Sequence, residues 1–182
     1  MRPFLVLAFI AIALVGSASA DAPKPEGKKK PKVEIAKTKV TIDGKEVSIP
    51  GELSAFEKAL GKPSGSVKVS DTNQYVFWKD LGIRCSQSPK GKQAVQEILF
   101  SFEPIYDLSA REKTKPFPGE ITVEGEAISA ATSKADVQKL KVGRELLGSW
   151  RIEHREPPLE VFITLGEKGT QSVSVVLPLS AR

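Results

Sequence analysis

The sequence predicts an α+β fold made of two tandem β-β-α-β-β-β halves, and three observations predict it. A nonapeptide, VTIDGKEVS at residues 40–48, returns 81 positions later as ITVEGEAIS at residues 121–129. Each copy precedes a helix-start signature, a serine three residues before an acid: Ser54 with Glu57, then Ser133 with Asp136. Three runs of alternating apolar residues follow each helix. The same order twice implies an internal duplication, its halves forming antiparallel sheet with one short helix each.

Taken in chain order, the first segment is an address rather than structure. Met1-Arg2-Pro3 is followed by an apolar run over residues 4–15, FLVLAFIAIALV, and by small residues ending in Ala18-Ser19-Ala20. This is the order of a secretory signal peptide (residues 1–20), with cleavage expected after Ala20. The apolar run falls short of the roughly 20 residues that span a bilayer. Asp21, not cysteine, follows the cleavage site, so no lipoprotein anchor is expected. With no later transmembrane anchor in the mature chain, a soluble secreted or periplasmic protein is expected.

Residues 21–35 read as a basic Pro/Lys-rich linker. The chain carries a formal charge of +5, but residues 21–32 hold five lysines against two acids, which leaves the domain beyond them nearly neutral. A nucleic-acid partner, which needs a basic stripe on a folded face, is therefore not expected. The linker is a solvated spacer, with weak contact to an anionic surface as its alternative use.

The first half occupies residues 36–110. Asp43-Gly44 supplies a hairpin turn, and glycine there provides the positive φ such turns require. Phe56, Ala59 and Leu60 give the first helix its apolar face, and Gly61 ends it. Strands are expected at residues 75–79, 82–86 and 94–102, with a loop at 63–70. The second half, residues 111–182, repeats the plan after a charged, proline-rich loop at 108–118. Glu124-Gly125 forms the turn; Ala135, Val137 and Leu140 face the core; strands follow at 149–154, 159–165 and 172–177. Seventy residues make a marginal core, so residues 36–182 should pack as one unit.

Enzymatic constellations are short of material. Cys85 is the one cysteine, which excludes an intrachain disulfide, and its phase with Ile83 makes it a buried, inert thiol. His154 is the one histidine and shares its phase with Trp150 and Ile152, so it ends an apolar stripe. GKPSG at residues 61–65 lacks the ending of a phosphate loop and reads as a turn. No catalytic, metal-binding or cofactor-binding residue is assigned.

The phrases YVFWKDLGIRC and PFPGEITVEG resemble those of a family of uncharacterised exported bacterial proteins, matching at Trp78, Asp80, Leu81, Gly82, Ile83, Phe117 and Gly119. Lys79 departs from the family's Trp-Asp spacing, and the resemblance implies no activity. A non-enzymatic interaction domain fits the residues best. Trp78, Leu99, Phe162 and Val176 are candidates for an apolar patch that binds another envelope or extracellular protein. Packing of these residues against one another as a small satellite cluster is the competing expectation. A small envelope hydrolase with a carboxylate-pair site is the alternative function.

Overall fold

The computed structural model describes residues 30–88, 94–107, 111–155 and 158–178; the expected signal peptide and most of the expected linker lie outside them. The chain opens with β1 (Lys32–Ala36), β2 (Lys39–Ile42), β3 (Lys45–Val47), β4 (Gly51–Glu52) and helix α1 (Leu53–Leu60). There follow β5 (Gly65–Ser70), β6 (Asn73–Trp78), a single 3-10 turn at Lys79–Leu81, β7 (Ile83–Gln87) and β8 (Ala94–Ser101). A small hairpin, β9 (Tyr106–Asp107) and β10 (Glu112–Lys113), leads to β11 (Glu120–Val123), β12 (Glu126–Ile128) and helix α2 (Lys134–Val137). The last four strands are β13 (Arg144–Leu146), β14 (Ser149–Arg155), β15 (Pro158–Gly166) and β16 (Gly169–Val176).

The repeated phrase forms the outer hairpins of a five-stranded sheet ordered β12-β11-β1-β2-β3. Alternation sets its inner face: Val40, Ile42 and Val47 are buried in one hairpin, Ile121, Val123 and Ile128 in the other. Both turns have positive φ at the acid and at the glycine, 50° and 76° at Asp43-Gly44, 50° and 90° at Glu124-Gly125. These are the mirror-image turns that match strand twist. The acids also hold β1 between the hairpins. Lys32 N donates to Asp43 Oδ1 at 2.9 Å, and Lys37 N donates to Glu124 Oε1 at 2.6 Å. β1 itself runs parallel to β11 and antiparallel to β2.

The larger sheet is ordered β13-β14-β15-β16-β8-β7-β6-β5, with β4 added beside β8. Its pairings are antiparallel, so it consists of two four-stranded meanders joined where β16 meets β8. One face of this sheet and the inner face of the small sheet share a continuous core, in which Ile35, Ile42 and Ile121 meet the buried set of Ile83, Ile98, Phe100, Ile152 and Ile163.

The α+β expectation is corrected here. Strands take up 55% of the described residues and helices 11%, so the protein is closer to all-β, built from two sheets. The helices are eight and four residues long, too short to form a layer over a sheet. Each buries one side chain in full, Phe56 and Val137. The expected second layer is supplied by strands. Four strands of the large sheet, not three, follow each helix: β5 lies in the stretch expected as a loop, and β13 in one where no strand is expected. β5 is an edge strand with largely exposed side chains and offers weak alternation. β1 fell inside the expected linker because its Val33 and Ile35 are interleaved with Lys32 and Glu34.

Candidate functional site

The second face of the large sheet is where chemistry collects. Cross-strand register aligns Phe77, Arg84, Leu99, Ser174, Phe162 and Arg151 in one row across five strand pairings. The adjacent row runs Tyr75, Ser86, Glu97, Val176, Glu160 and Glu153. Two arginines anchor this surface. The Arg84 guanidinium lies 4.3 Å from the Tyr75 ring centroid and Arg84 Nη2 donates to Glu97 Oε1 at 3.1 Å. The Arg151 guanidinium lies 5.6 Å from the Phe162 centroid, and Arg151 Nη2 donates to Glu160 Oε1. Rows of strands about 4.8 Å apart put the two arginines roughly 19 Å from each other.

These side chains are half-buried although they face away from the core. Arg84 and Glu97 retain 21% side-chain exposure each, Arg151 22% and Glu160 15%. Phe77, beneath Tyr75, is almost fully covered. Arg84 Nε and Arg151 Nε are buried with no hydrogen-bond acceptor among the described residues. Arg151 Nε lies 3.2 Å from Glu153 Oε1, an ion-pair distance that lacks hydrogen-bond geometry. Glu153 and Glu160 are directly opposed carboxylates, but Arg151 sits against both. A glycosidase-type pair instead flanks open space for a bond and a water.

Leu99, Phe162 and Val176 fall on this face, half-exposed. Trp78 does not. It is 2% exposed and belongs to the core, where its Nε1 donates to Gly61 O at 2.7 Å. The strand's parity puts Val76 and Trp78 inward, and Tyr75 and Phe77 outward. Trp150 makes the corresponding bond in the second half, donating to Val142 O at 2.9 Å. The two accepting carbonyls are 81 residues apart, the spacing of the hairpins.

Sequence reading missed Arg84, Glu97, Arg151 and Glu160. Their signal was present as charges in phase with Leu99 and Phe162, but cross-strand register was needed to bring them together. Cys85 is buried, and burial pushes its thiol far above the ordinary range. His154 stands at the end of its stripe as its phase implies, and its Nε2 lies 3.3 Å from Glu124 Oε1, a contact between the two sheets.

The phrases that resemble a known family come together as a backbone knot. Lys115 N donates to Lys79 O at 2.8 Å, and Phe117 N donates to Ser101 O at 2.6 Å. Phe117 then packs edge-on against Phe100 at 5.4 Å. A Cβ on Gly82 would meet Phe117 N at 2.5 Å, and one on Gly119 would meet Pro31 O at 2.0 Å. Glycine at both places permits this close approach.

Fold and surface together define a two-sheet β-domain with an arginine- and aromatic-bearing outer face. The chain belongs to the family described as a domain of unknown function (DUF7738), whose model matches residues 32–138. That stretch runs from β1 to the end of α2 and contains the knot. No curated protein and no solved structure matches the chain.

Proposed function

We propose that this is an exported, non-enzymatic interaction domain, working in the bacterial envelope or outside the cell, whose outer sheet face binds another protein. The observation that carries the reading is the pair of half-buried arginine–aromatic stacks, with half-exposed Leu99 and Val176 beside them, on a face turned away from the core. Arginine and aromatic residues are enriched in protein interfaces, where stacked guanidinium groups offer directional donors beside apolar area. Leu99, Phe162 and Val176 supply that area between the two stacks. The charged order at the N-terminus, with its Ala-x-Ala ending, supports export with cleavage after Ala20. No helix among the described residues is long and apolar enough to cross a membrane.

The test is affinity purification of the mature chain from its native host, comparing the parent with a Leu99→Ser/Phe162→Ser variant. A stoichiometric partner that is lost from the variant, while the variant stays folded at the temperature of the experiment with a modestly lowered unfolding midpoint, is expected. A partner retained equally by both proteins would remove the outer face from the interaction.

A further inference from the structure

We propose that the cleft beside the backbone knot binds a small amphiphile with one anionic head and an apolar body. The cleft encloses about 510 Å³, within the roughly 300–1,000 Å³ range of small-molecule sites. Its apolar lining comes from Leu60 at the end of α1, Trp78 and Leu81 at the 3-10 turn, and Pro118 in the knot. The Trp78 N–H is turned to the Gly61 carbonyl, which leaves no polar demand from the indole on a ligand. Lys30 and Lys62 stand at the mouth, both exposed, and neither has an acid or carbonyl against its ammonium among the described residues. The acid on the rim, Asp80, pairs with Lys115 at 2.8 Å. The mouth is therefore net positive over an apolar floor, the arrangement that selects an anionic amphiphile over a neutral one or a bare anion. A free fatty-acid-like molecule and an anionic lipid headgroup share this chemistry.

The two tryptophans make the test site-specific. Trp78 lines this cleft, while Trp150 is bonded to Val142 in the other half of the large sheet. Indole N–H signals of the 15N-labelled mature chain are followed during titration with decanoate below its micellar concentration, with decanol and acetate as comparisons. A saturable shift of the Trp78 signal with decanoate is expected, with Trp150 unmoved, decanol weaker and acetate silent. The Lys30→Gln/Lys62→Gln variant should bind decanoate about fivefold more weakly, about 1 kcal/mol for the two exposed charge contacts together. Its affinity for decanol should be unaltered. The Phe162→Ser variant should bind decanoate as the parent does, which separates this site from the outer sheet face. Equal affinity for decanoate and decanol, equal movement of both indoles, or full affinity in the double variant would overturn the proposal. Binding to phosphatidylglycerol vesicles without binding to decanoate would also overturn it, and would assign the lysines to a membrane surface.

Discussion

Strand parity turns Trp78 into the core and Phe162 onto the outer face of the large sheet, and that difference separates stability from recognition. Trp78 is a core residue with an internal hydrogen bond, so Trp78→Ala should cost about 3–5 kcal/mol in a urea melt. Phe162 lies half-exposed on the other face, and Phe162→Ser should cost about 1–2 kcal/mol, the loss of partial burial and one cation–π contact. Similar costs for the two would place Phe162 in the core. Cys85, sealed within the sheets, should resist Ellman's reagent at pH 8 until denaturant is added. Rapid labelling of the native protein would contradict its burial. Asp136 gives a pH signature. Its carboxylate is held by Lys139 and by Ser133, which lowers its pKa from 3.8 to about 2. The stabilising effect is therefore complete above its unfolded value and is lost as pH falls through about 2. A carboxyl 13C titration should place the Asp136 midpoint below that of ordinary aspartates; a midpoint near 3.8 would mean that the capping box does not form in solution.

At the scale of elements, sequence pattern located strands well and helix starts unevenly. The expected strand at residues 159–165 is observed as Pro158–Gly166, and that at 149–154 as Ser149–Arg155, because alternation marked their buried faces, with four apolar residues in the first and Trp150 and Ile152 in the second. The helix starts reversed in strength. Ser133 and Asp136 form a complete capping box, whereas at α1 the N-cap is Glu52 and Ser54 Oγ donates to its carboxylate. Helix α1 instead rests on packing of Phe56. The acid-glycine turns were legible as turns, but their grip on β1 was not, since the contact joins residues 87 apart in the case of Lys37 and Glu124. The knot makes a separate prediction. Gly119→Ala would drive Cβ into the Pro31 carbonyl and the Phe117 ring, so backbone must move. A loss of about 1–3 kcal/mol is expected on thermal unfolding, and an unaltered midpoint would mean that β1 and the knot are not in contact.

At the scale of the whole molecule, two sheets close one core between their inner faces and leave the second face of each outward. Hairpin, helix and strand order could be read twice from the sequence, and the structure holds hairpin, helix and four strands on each side of the β16–β8 seam. The class could not, because α1 and α2 were legible as helices while β1, β5 and β13 were too short or too polar to register as strands. The outer face was legible in its apolar members and illegible in its charges, since Arg84 meets Glu97, and Arg151 meets Glu160, only through pairing. Its proposed role as a binding surface is tested most directly by a photo-crosslinking residue placed at position 162 of the chain in its native host. Position 147, whose Leu147 is 96% exposed on the β13–β14 turn, serves as the comparison. A discrete adduct of one mass from position 162, absent from position 147, is the expected result. Adducts of equal yield and heterogeneity at both positions, or a discrete adduct at 147 alone, would contradict the assignment of the outer face to partner binding.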